Sequence, residues 1–157
     1  MSNQLEQLVK AIADDDPEAF LCVCELLRAH QIGIFGTNVI EPYATMYRAN
    51  PLTDADAQML RAAFVDYLSN GGLTNAPSAA HALKVSGDPA LVPVLQRILD
   101  DRLRSHLIQG DTVGQLLLAL NSCGESAMTE QSFSSNAHEK NAGAARKYLK
   151  RQGFDEP

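Results

Sequence analysis

Ala79-Ala80-His81-Ala82-Leu83-Lys84-Val85-Ser86-Gly87-Asp88 returns 37 residues later as Leu116-Leu117-Leu118-Ala119-Leu120-Asn121-Ser122-Cys123-Gly124-Glu125. Both strings hold an apolar helix with Ala-Leu in the same register, and both stop at glycine followed by an acid. A period of this length marks a helix pair that cannot cover its own apolar face and must stack on a neighbour to make a core. The expected fold is all-α: a right-handed stack of seven or eight helices, antiparallel within pairs, forming an α-solenoid. Length sets the domain expectation at one, spanning residues 1–157, with the repeats clearest over 77–125. A chain of 157 residues buries roughly 68–70% of its unfolded surface. Neither disulfides nor a structural metal are needed to stabilise a core of that size.

Outward from the repeats, apolar spacing places the other helices. Leu5, Leu8, Val9 and Ile12 predict a helix over 3–13. Asp14-Asp15-Asp16-Pro17 closes it and caps the next, because carboxylates complement the free N–H groups of a helix start and proline suits its first position. The three adjacent carboxylates point in different directions, so a cap is expected here rather than a metal site. The second helix, 17–30, takes Phe20, Val23, Cys24 and Leu27 as its core face, widened by Leu21 and Leu26. Glu18, Cys22, Glu25 and Ala29 are its expected exposed stripe. A third helix is expected through Tyr43 and Tyr47, ending at Asn50-Pro51. Thr53-Asp54 then caps a fourth with Leu60, Phe64, Tyr67 and Leu68 on one face, and Asn70-Gly71-Gly72 stops it.

Beyond the first repeated helix (77–86), Asp88 caps a helix whose apolar positions are Leu91, Leu95, Ile98, Leu99 and Leu103, with Pro93 disturbing its first turn. Val113, Leu116, Leu117 and Leu120 lead the helix over 111–123. Ser126 to Ala137 reads as a polar loop. The terminal helix, 138–152, faces Ala142, Ala145 and Leu149 inward. Its Lys147, Lys150 and Arg151 either complement the helix dipole or form a small basic patch. His106 is a plausible dipole partner at its own helix end.

Charge divides the chain unevenly. Residues 1–78 carry ten Asp and Glu against four Lys and Arg, a net of −6, whereas 79–157 carry nine of each. Six of the nine aromatic residues, Phe20, Phe35, Tyr43, Tyr47, Phe64 and Tyr67, also lie in the first half. Two readings stand: a solvated acidic surface over an aromatic core, or an acidic face that steers a basic partner. A nucleic-acid ligand is disfavoured, since phosphate contacts require a basic stripe. The apolar stretches are too short for a bilayer, and Met1-Ser2-Asn3-Gln4-Leu5-Glu6 has no basic n-region, so neither a membrane span nor a signal peptide is expected. Three cysteines without C-x-x-C spacing fit a reducing cytoplasm.

The chain carries no complete catalytic motif. His138-Glu139 begins a zinc-protease-like string, but Ala142 stands where the second histidine belongs. No G-x-S-x-G, P-loop or G-x-G-x-x-G occurs, and His30, His81, His106 and His138 are widely separated. No catalytic residue, metal or cofactor is therefore assigned.

Gly87-Asp88-Pro89-Ala90-Leu91-Val92-Pro93-Val94-Leu95 resembles the inter-helix turn of the short HEAT-like repeats first known from phycobilisome lyases. The likeness covers about 77–125, and after Glu125 the family's proline is missing. Ser132-Phe133-Ser134-Ser135-Asn136, Glu139-Lys140-Asn141, Ala145 and Tyr148-Leu149, in a small acidic protein, are similar to bacterial immunity proteins built from such helices. The resemblance implies a non-catalytic protein-binding module that neutralises a toxin domain. The alternatives are a HEAT-like scaffold or adaptor, or a lyase-like enzyme component. If the partner is basic, the expected contacts are Asp14, Asp15, Asp16, Glu18, Glu25, Asp54, Asp56 and Asp66, with Tyr43 and Tyr47 as aromatic anchors.

Overall fold

The computed structural model describes residues 2–32, 51–105, 109–127 and 138–155. They form seven α-helices and one short 3-10 turn, with no strand among the described residues. The all-helical expectation holds. No helix among them is long and apolar enough to cross a membrane. The expected helix through Tyr43 and Tyr47, the His106 position and most of the expected loop over 126–137 lie outside the described residues. The chain forms two compact units, Met1–Ser86 and Gly87–Pro157.

In the first unit, α1 (Ser2–Ala13) buries Leu5, Leu8 and Ile12. Helix α2 (Pro17–Ile32) begins at Asp16, whose Oδ1 accepts the Glu18 N–H at 3.1 Å. This is the cap expected of the acidic triplet, made by one of its three members. Helix α3 (Asp54–Ser69) starts with a reciprocal box. Asp56 N–H donates to Thr53 Oγ1 at 3.1 Å and Thr53 N–H to Asp56 Oδ2 at 3.2 Å. Together these satisfy two donors that a helix start leaves open. Leu60, Phe64, Tyr67 and Leu68 are all buried, as their spacing predicts. Phe20 meets the Phe64 ring at 5.5 Å and the edge of Tyr67 at 4.8 Å between centroids. Helix α4 (Ala76–Ser86) presents Ala76, Ala79, Ala80, Ala82 and Leu83 to the interior and packs on α2 and α3. Four alanines on that face let the backbones approach closely.

The face expected for α2 holds at Phe20, Val23, Leu26 and Leu27, which are buried, and fails at its edges. Cys22 and Ala29 are fully buried, whereas Leu21 is 47% exposed and Cys24 only partly covered. The solvent stripe is Glu18, Leu21 and Arg28, with Glu25 half-buried beside it. Helix α2 is contacted by α1, α3 and α4, so most of its circumference is apolar and a one-face pattern is poorly defined. The Cys24 thiol donates to the Ser78 carbonyl at 3.6 Å. Burial, with Glu25 and Cys22 nearby, pushes that thiol up to about 12.

The second unit opens with a 3-10 turn (Pro89–Leu91) capped by Asp88, whose Oδ1 accepts the Ala90 N–H at 3.0 Å. It leads into α5 (Val92–Arg104), which carries Pro93 in its first turn. Proline there removes a donor that the turn does not need. Leu95, Ile98, Leu99 and Leu103 are buried. Helix α6 (Gly110–Ser122) buries Val113 and every residue from Leu116 to Leu120, and packs on both α5 and α7 (His138–Arg151). From α7, Ala142, Ala145, Tyr148 and Leu149 point inward. The Tyr148 hydroxyl donates to Glu125 Oε1 at 2.7 Å and accepts from Gln96 Nε2 at 2.9 Å.

The two halves of the internal repeat have matching local surroundings. Ala82 and Ala119 are buried, as are Leu83 and Leu120. Gly87 and Gly124 both adopt positive φ, +57° and +106°. Leucine at 82 or 119 should therefore overpack its unit and lower stability by about 1–3 kcal/mol. Urea denaturation of Ala82→Leu and Ala119→Leu checks this, and unchanged stability would show that the sites have room.

Burial and the Glu125 hydrogen bond raise the Tyr148 phenol from 10.0 to about 12, against a lowering by Gln96. A group held neutral by folding stabilises fully below its unfolded pKa, and that contribution is lost as pH rises through the folded value. Stability should accordingly decline between pH 9.0 and about 12, through Cys24 first and Tyr148 above pH 10.0. In urea titrations Tyr148→Phe should be less stable at neutral pH but should flatten the decline above pH 10.0. An unchanged slope contradicts the assignment.

Candidate functional site

Three helices end in the same backbone motif, with a left-handed residue whose successor donates back to the carbonyl five residues earlier. Gly71, Gly124 and Gly153 hold the left-handed position, and Gly72, Glu125 and Phe154 donate to the carbonyls of Tyr67, Leu120 and Leu149. Helix α1 ends the same way. Asp16 N–H donates to Ala11 and Asp15 N–H to Ile12, both at 3.0 Å, but the left-handed residue is Asp15, with φ +64°. It is the one non-glycine residue with positive φ among the described residues. An L-residue in this region costs roughly 1–2 kcal/mol, less for Asp and Asn than for others.

What holds Asp15 there is a three-residue knot within the first unit. Asp15 Oδ1 accepts the Tyr67 hydroxyl at 2.8 Å and Asn75 Nδ2 at 2.7 Å. Asn75 Nδ2 also reaches the Asp15 carbonyl at 3.3 Å, and Asn75 N–H donates to the Tyr67 oxygen at 2.9 Å. The knot ties the end of α1 to the last turn of α3 and the start of α4. Gly72 completes it, since a Cβ placed there would clash with the Tyr67 ring.

Beside this knot lies a cleft of about 310 Å³ lined by Val9, Ala13 and Ala63, by Asp15, Asp66 and Tyr67, and by Asn70, Gly71 and Gly72. No cationic side chain is among these residues. Asp14, Asp16 and Glu18 are exposed along the adjoining α1–α2 turn. Of the expected contact residues, Asp14, Asp15, Asp16, Glu18 and Asp66 thus belong to one end of the unit. Asp54 and Asp56 do not join them. Asp54 is paired with His30 Nε2 at 3.1 Å, and Asp56 is occupied in the Thr53 box. Glu18 and His30 are separated by about 18 Å of helix axis at ~1.5 Å per residue. Glu25 lies between, half-buried and 3.9 Å from Arg28. Tyr43 and Tyr47 lie outside the described residues.

Sequence reading missed Asn75 and assigned Tyr67 to the core alone. The available signal was Asp15 standing where three other helix ends use glycine. Among the described residues no three His, Cys, Asp or Glu side chains gather as a metal site. The second unit has a cleft of its own, about 600 Å³, where Lys147, Lys150 and Arg151 meet Ala127 and Ala144. Arg151 there donates to the Ser126 carbonyl at 3.2 Å.

No family model, curated protein or solved structure matches this chain. The likeness to HEAT-like repeats therefore rests on the residues quoted for it.

The knot makes an ordered set of predictions for stability. Asp15→Ala loses the carboxylate and keeps the backbone strain, whereas Asp15→Gly loses the carboxylate and sheds the strain. Urea denaturation should rank wild type above Asp15→Gly and Asp15→Gly above Asp15→Ala. Tyr67→Phe should cost about 1–3 kcal/mol by stranding Asn75 N–H and Asp15. A glycine variant as stable as the wild type would mean that the knot does no more than offset the backbone strain.

Proposed function

We propose that the protein is a non-catalytic binding module whose acidic first unit docks onto a basic protein, in the manner of an immunity protein silencing a toxin domain. The observation that carries this reading is the run of exposed carboxylates at one end of that unit. Asp14, Asp16 and Glu18 edge the α1–α2 turn, and Asp66 lies on the cleft beside them. Exposed charges of one sign steer encounter and set the on-rate, while the desolvated centre of an interface sets the off-rate. The Asp54–Asp56 end is a secondary contact in this reading. Tyr43 and Tyr47 retain their proposed role as anchors. The helices are proposed to stack as a right-handed HEAT-like solenoid of antiparallel pairs, working in a reducing cytoplasm without a cofactor.

Two features support the reading: a net of −6 carried by residues 1–78 and the resemblance of the tail to immunity proteins. The test is co-expression with the C-terminal domain encoded by the neighbouring gene, followed by surface-plasmon kinetics at two ionic strengths. Replacing Asp14, Asp16 and Glu18 with Lys should slow association and flatten its salt dependence, with little change in dissociation. A chain that neither binds nor protects, or an affinity insensitive to salt, overturns the proposal in favour of a generic scaffold.

A further inference from the structure

We propose that the cleft between α1 and the end of α3 is a receptor for one arginine side chain of the protein partner. This rests on the docking reading above and specifies its centre. A volume of about 310 Å³ lies at the small end of ligand pockets, roughly 300–1,000 Å³, and suits a single long side chain. Val9, Ala13 and Ala63 form an apolar wall against which a methylene stem can lie. Asp15 and Asp66 supply carboxylates from two separate elements, and no cation stands among the described lining residues.

The knot prepares one of these carboxylates. Tyr67 and Asn75 both bond Asp15 Oδ1, which fixes the plane of the group. Its Oδ2 takes no hydrogen bond from a described residue, and neither does the Asp66 carboxylate. A Cβ at Gly71 would meet nothing within 4 Å, so the cleft is open on that side. Tyr67 adds an aromatic surface to the lining. A planar guanidinium uses both carboxylates together: a two-pronged bond to Asp66 and a further contact to Asp15 Oδ2. A lysine ammonium uses only the charge. The described residues place no third His, Cys, Asp or Glu there for a metal ion.

The test titrates the isotope-labelled full chain with N-acetyl-arginine-N-methylamide, and separately with its lysine and citrulline counterparts. Saturable amide shifts should concentrate at Ala13, Asp15, Gly71 and Gly72, with arginine tighter than lysine and citrulline inactive. Asp15→Asn with Asp66→Asn keeps the Oδ1 acceptor and a residue that tolerates the left-handed backbone, while removing both charges. It should retain a folded spectrum and weaken arginine binding at least about tenfold, equivalent to ~1.4 kcal/mol. Absence of a saturable shift up to tens of millimolar overturns the proposal. So do shifts spread equally to Asp54 and Asp56, lysine binding as tight as arginine, or unchanged binding by the double variant. The docking reading fails separately. A chain that takes the arginine probe but binds no basic domain overturns docking alone, whereas a partner bound equally well by the double variant overturns the cleft alone.

Discussion

A single carboxylate secures the first unit. Asp15 adopts a backbone conformation that the chain elsewhere gives to glycine, and it stays there because Oδ1 is shared by Tyr67 and Asn75. Those bonds reach across 52 and 60 residues. They set the end of α1 against the end of α3 and fix where α4 begins. Tyr67 in turn presents its ring to Phe20 and covers Gly72. The aromatic core and the polar knot are thus joined through one side chain. Such strain persists only where its surroundings over-determine it, and its presence beside an open cleft motivates a functional reading.

The same constraint organises the acidic surface. Because Asp15 turns the chain sharply between α1 and α2, Asp14 and Asp16 stay exposed on either side of it while Asp15 itself is drawn inward. One acid caps a helix, one ties the unit together and one faces water. Their opposed roles come from their position in a helix-ending motif, and composition alone does not distinguish them.

Much of the helical framework was legible in the sequence because its signals are local. The Thr53 cap, the Asn70-Gly71-Gly72 stop and the Leu60-Phe64-Tyr67-Leu68 face each depend on residues within a few turns of one another. The repeated Ala-Leu and glycine positions were legible for the same reason. The edges of the α2 core face were not, since three helices cover it and Cys22 and Cys24 are distinguished only by which neighbours arrive. Nor was the knot, whose partners are distant in sequence. The grouping of contact residues was half legible: Asp14, Asp15, Asp16, Glu18 and Asp66 share one end, while Asp54 and Asp56 are carried away by the length of α2 and α3.

The central claim is that the knot is a structural tie of the first unit, and the Asn75 amide reports on it most directly. That N–H precedes α4 and has no helical acceptor; its bond is to the Tyr67 oxygen. Amides at a helix start ordinarily exchange by local fraying. Native-state hydrogen exchange should instead find Asn75 protected to the same free energy as the core amides of α3, with protection lost in Tyr67→Phe. Exchange of Asn75 at the rate of a frayed helix end, unaffected by Tyr67→Phe, would contradict the account.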